Sequence, residues 1–119
     1  MRPETVEASV RSGRRPARTA GARLVEAVAD LAGPGILAGH RETAWASITY
    51  AGSRHTMTWH FAGWEAVDAG EDFIAKLPEH EFAIPRALVA DVAIIETAST
   101  TLPEPTLTVT VEFLLLDEA

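Results

Sequence analysis

The sequence predicts an α+β fold: a two-layer α/β sandwich in which a four-stranded antiparallel sheet carries two helices on one face, in the order α-ββ-α-ββ. Three observations carry this expectation. Leu107, Val109, Val111, Phe113 and Leu115 alternate with Thr108, Thr110 and Glu112, the period-two pattern of a half-buried strand. Leu24, Val28 and Leu31 recur at helical spacing between Thr19, which suits an N-cap, and Gly33-Pro34-Gly35, which ends a helix. Strand-like runs come in pairs separated by helices, and not singly as in a parallel βαβ sheet.

Each element follows from local chemistry. After the first helix, residues 42–62 read as a hairpin turning at Gly52-Ser53, where glycine supplies the positive φ of a two-residue turn. That register sets Tyr50 opposite His55, Ile48 opposite Met57 and Trp45 opposite His60. Tyr50, Ile48, Ala46 and Ala44 then share an apolar face with His55, Met57, Trp59 and Phe61. Trp45, Ser47, Thr49, Thr56, Thr58 and His60 form the opposite, wet face. Gly63 breaks the strand, and Asp68 and Glu71 stand in capping-box spacing at the head of a second helix, which Pro78 stops. Phe73, Ile74 and Leu77 are its buried stripe. Leu88–Thr97 and Leu107–Leu116 complete the sheet, joined by a loop containing Pro103 and Pro105.

Domain organisation and partners come from size and charge. A chain of 119 residues suffices for one domain with its own core. Residues 1–18 hold five arginines against two glutamates, a net +3, and little branched apolar surface, so they read as a flexible basic arm. Residues 19–119 form the single α+β domain, with five basic and fifteen acidic side chains, a net −10. Such a body repels nucleic acid, which makes nucleic acid an unfavourable partner. No apolar run approaches the roughly 20 residues that cross a bilayer, so no membrane association is expected. The chain has no cysteine, which removes disulfides, thiolate metal sites and a cysteine nucleophile, and fits a cytoplasmic setting.

Recognised chemical motifs are absent: there is no glycine-rich phosphate loop, no nucleophile elbow and no zinc-protease helix. No cofactor and no metal are expected. His55 and His60 lie an odd number of residues apart on one strand, which sends them to opposite faces. Glu79-His80-Glu81 brackets an imidazole with two carboxylates, but adjacent residues seldom converge on one ion, so the cluster reads as a solvated loop. His40-Arg41-Glu42 reads as the approach to the first strand.

Four residues stand out as candidate ligand-binding positions. Trp45 and His60 pair an aromatic and an imidazole on an otherwise Ser/Thr surface. Trp64 lies at a strand-to-helix connection, where it either gates a pocket or caps the core. Asp91 falls within a strand apolar on both sides, so it needs a cationic partner such as Arg54 or Arg86, or a place at the sheet edge. That strand, with Leu88, Ala90, Val92 and Ile94 on one side and Val89, Ala93 and Ile95 on the other, also points beyond the monomer. With Leu114 and Leu116, it leaves an apolar outer surface that either the N-terminal segment or another subunit would cover, a symmetric dimer being the commonest solution. The expected function is therefore a non-enzymatic, self-associating binding or assembly module, most simply a homodimer, with a small molecule or protein as further partner. The alternative is a small hydrolase or isomerase using His60 or His80 with Glu42, Glu79 or Asp91.

Overall fold

A computed structural model describes residues 19–118; the basic arm of residues 1–18 lies outside them. Helix α1 (Ala20–Ala32) begins and ends where its caps dictate. The Thr19 hydroxyl oxygen accepts from the Ala22 amide at 3.0 Å, and Gly33, at φ 61°, donates its own amide to the Ala29 carbonyl. Gly21, Leu24, Val28 and Ala32 form the buried stripe.

Strands β1 (Ile36–Ala46) and β2 (Ala51–Ala62) form an antiparallel hairpin, but its turn lies at Ser47–Tyr50 and not at Gly52-Ser53. The Ser47 hydroxyl accepts from the amides of Thr49 and Tyr50, a local bonding pattern that competes well with a glycine turn. Gly52 is needed for a different reason. It faces the backbone of the neighbouring strand so closely that a Cβ would run into the Leu115 carbonyl. The expected register is therefore wrong: Glu42 faces His55, Trp45 faces Gly52, and Ile36 faces His60. Because the slip is an even number of residues, Ala44 and Ala46 keep the inward side and Trp45 the outward one, but Ile48 and Tyr50, expected on the apolar face, fall with Ser47 and Thr49 in the turn and are exposed. His55, Met57, Trp59 and Phe61 still point inward and are buried.

Helix α2 (Trp64–Lys76) starts earlier than the capping-box spacing implies. Gly63, at φ 93°, anchors the start: its amide donates to the Pro105 carbonyl and its carbonyl accepts from Val67. Asp68 and Glu71 consequently sit exposed within the helix. A 3₁₀ turn at Leu77–Glu79, with Pro78 in its first positions, ends the segment as expected.

Strands β3 (Ala87–Thr100) and β4 (Thr106–Asp117) complete one antiparallel sheet in the order β1-β2-β4-β3. Both helices lie on one face. Gly21 of α1 packs on His55, and Gly70 of α2 packs on Phe61 and Leu107. The fold class is thus as the sequence predicts. Between the layers, Phe73 meets Trp59 and Phe61 with ring centroids 6.4 and 5.9 Å apart. The outer face is polar at its centre, with Arg54 paired to Glu112 at 3.2 Å, Thr58 to Thr110, and His60 to Thr108.

β3 departs from the simple alternation. Bulges between Val89 and Asp91 and between Ile94 and Glu96 reset its register. Val89, Val92 and Ile94 face inward against the core, whereas Leu88, Asp91, Ala93 and Glu96 align with outward residues of β4. Asp91 therefore needs no buried cation; it stands exposed on an edge strand. Among the described residues no helix is long and apolar enough to cross a membrane.

Candidate functional site

The most connected polar group in the domain lies on the inner face of the β1–β2 hairpin. Period-two spacing puts Ser53 and His55 side by side on β2, and His40 and Glu42 side by side on β1. Antiparallel pairing then sets Glu42 opposite His55, with His40 two pairs further along, opposite Met57. Nδ1 of His55 lies 2.9 Å from Nε2 of His40, and Nε2 of His55 lies 2.8 Å from the Ser53 hydroxyl. Ser53, His55 and His40 thus form one hydrogen-bonded chain. The two imidazoles stack with centroids 5.2 Å apart and planes inclined by 22°.

The first turn of α1 roofs this chain. A Cβ on Gly21 would come within 2.7 Å of the His55 ring and 3.4 Å of a Glu42 carboxylate oxygen, so glycine is what lets the helix sit this low. His55 is wholly buried while His40 and Glu42 remain exposed and Ser53 is half-buried. Burial holds the His55 imidazole below the ordinary histidine range; the Glu42 carboxylate opposes that shift, and His40 adds to it. A neutral His55 has one N–H and one lone pair. If its proton is on Nδ1 it donates to His40 and accepts from Ser53, and with the other tautomer the chain runs in reverse.

The four positions nominated from sequence are not brought together. Trp45 is half-buried on the outer side of β1, opposite Gly52, whereas His60 lies near the far end of β2 with its Nδ1 3.0 Å from the Thr108 hydroxyl. The aromatic–imidazole pairing expected of them does not form. Trp64 opens α2 and is 69% exposed, so it does not seal the core; it borders a shallow cleft with Pro34 and Ala62. Asp91 lines a different cleft, of about 500 Å³, together with His80, Glu81 and Phe82. His80 packs edge-on to Phe82 there, with centroids 4.5 Å apart. Among the described residues no group of three or more His, Asp or Glu side chains is placed to hold a metal ion.

A second feature concerns the sheet's margins. β1 is exposed along most of its length, and β3 is exposed on both faces from Ile95 onward. At one corner of the outer face Tyr50, Leu88 and Leu116 line an apolar cleft of about 480 Å³, rimmed by Asp117 and Glu118. Tyr50 and Leu88 are 56% and 53% exposed. Leu114 extends this surface one outward position along β4.

What hid the Ser53–His55–His40 chain in the sequence was the turn. With Ser53 in a loop and His40 ahead of the first strand, neither is available to His55. The readable signal was the matched spacing of His40-x-Glu42 and Ser53-x-His55, each a same-face pair if both segments are strands. No family model, curated protein or solved structure matches this chain.

Proposed function

We propose that this chain acts as a self-associating assembly module, forming a homodimer through the β3 side of its sheet. The observation that carries the reading is the apolar corner of the outer face, Tyr50, Leu88, Leu114 and Leu116, which runs into the open edge of β3. Both helices are spent on the other face, so no element among the described residues covers that corner. An edge strand of 14 residues also presents a row of unpaired backbone donors and acceptors. Its two bulges and the exposed Asp91 and Glu96 discourage indiscriminate pairing, whereas a symmetric contact that buries Leu88 and Ile95 remains open.

Light scattering on the eluting peak of a sizing column tests this. The wild-type chain is expected to elute as a dimer, and Leu88→Lys combined with Ile95→Lys as a folded monomer, because both side chains are 53% exposed in the single chain. A wild-type chain that stays monomeric at high micromolar concentration removes the reading.

A further inference from the structure

The chain Ser53–His55–His40 has the connectivity of an activated nucleophile: a hydroxyl on one ring nitrogen of a buried histidine, and an orienting acceptor on the other. Both links are at hydrogen-bond distance, 2.8 and 2.9 Å. We propose that Ser53 is an acylatable nucleophile, with His55 as its general base and His40 as the residue positioning that base, and that the domain transfers short acyl groups from esters to water. This inference stands apart from the assembly reading and needs no second subunit.

The chemistry balances with groups on this chain and the two substrates. His55 carries its proton on Nδ1, donated to Nε2 of a neutral His40, so Nε2 of His55 is free to accept. As the Ser53 oxygen adds to the ester carbonyl carbon, its proton passes to Nε2 of His55. The carbon–oxygen bond to the alcohol then breaks, and that proton leaves with the alcohol, giving acyl-Ser53. Water attacks the acyl carbon with His55 again taking a proton, which returns to the Ser53 oxygen as the carboxylic acid departs. No oxidant and no metal enters.

Three further observations fit. Burial favours the neutral, accepting form of His55. Among the described residues the groups facing it are Glu42 and His40 from β1, Gly21 from α1 and Phe113 from β4, of which two are ionisable. Beside Ser53 the inner face carries the buried Leu115 of β4 on one side and Ala44, with Ala46 beyond it, on the other; the two alanines are exposed and small, which leaves the β1 side open to a small apolar acyl group.

The test is acetylation of the full chain by p-nitrophenyl acetate near pH 7.5, with the adduct located by peptide mass spectrometry. Ser47 and Ser99, exposed serines with no imidazole partner among the described residues, serve as references within the same molecule. General-base assistance is worth about 10²–10⁴-fold, so Ser53 should acetylate at least about a hundredfold faster than either. Ser53→Ala should abolish the burst of p-nitrophenol. His40→Gln, at an exposed site, should slow acylation about tenfold or more and move the midpoint of its pH profile, which a merely structural His40 would not do. Ser53 labelled no faster than Ser47 and Ser99, or a folded His40→Gln variant with unchanged rate and pH profile, overturns the proposal.

Discussion

His55 is a polar side chain with no solvent exposure, and its environment makes a prediction about pH. Its folded-state affinity for a proton is depressed, chiefly by burial. The unfolded chain therefore binds that proton first as pH falls. The stability contributed by keeping His55 neutral is complete above the unfolded histidine value of about 6.5 and is lost progressively below it. The urea midpoint is expected to fall between about pH 7 and pH 5, with a shallower slope in His55→Gln. A wild-type midpoint flat across that window contradicts the assignment. Gly21→Ala sets two effects against each other. Alanine raises helix propensity by about 1 kcal/mol, but its Cβ would meet a ring hydrogen-bonded at both nitrogens, an overpacking that costs about 1–3 kcal/mol. Overpacking should win, and thermal denaturation should show a net loss. Trp59 presents the opposite situation. Its Nε1 is buried with no partner among the described residues, so Trp59→Phe removes an orphan donor along with some packing. The net cost should stay within about 1.5 kcal/mol.

At the scale of elements, caps and packing explain which boundaries were legible in the sequence. α1 was readable at both ends because Thr19 and Gly33 act through local bonds alone. Thr19→Ala should therefore cost about 1 kcal/mol in denaturant titration. α2 was readable only in part. Its start depends on Gly63 meeting Pro105, a contact between segments far apart in the chain that no local pattern announces. Its buried stripe was correct, and Phe73→Ala, which empties a site against Trp59 and Phe61, is expected to cost about 3–5 kcal/mol. The hairpin shows the same division. Face assignment followed from period-two alternation and survived for the residues that stay in strands, whereas register depended on choosing between Ser47 and Gly52 as the turn and moved Ile48 and Tyr50 off the apolar face. Gly52 looked like a turn residue because glycine serves both positive φ and close backbone approach, and only the position of β4 tells the two uses apart. The candidate site was lost with the register, since His40, Ser53 and His55 meet only once β1 reaches back to Ile36. The bulges in β3 were invisible for a related reason. They depend on pairing with β4, and a strand apolar at nearly every position gives no alternation to break.

For the molecule as a whole, an uneven distribution of cover is the main consequence of the fold. Two helices of 13 residues each lie over one face, α1 on strands β1 and β2 and α2 on strands β2 and β4. The strands at the margins, β1 and β3, are left with open edges, and the outer face ends in an apolar corner at Tyr50, Leu88 and Leu116. Burying such a corner against an identical one stabilises by roughly 25 cal/mol per Å² of apolar surface, which is why a second copy is the natural cover. Acylation at Ser53 would proceed on the inner face of β2, whereas Leu88 and Ile95 belong to β3, so the two properties are separable by mutation. Sedimentation equilibrium of the full chain over a range of concentrations tests the central claim most directly. The account predicts a mass approaching twice the 12.8 kDa of the chain, falling to a single copy in the Leu88→Lys, Ile95→Lys variant. A mass of one chain throughout, in the wild-type protein, would contradict it.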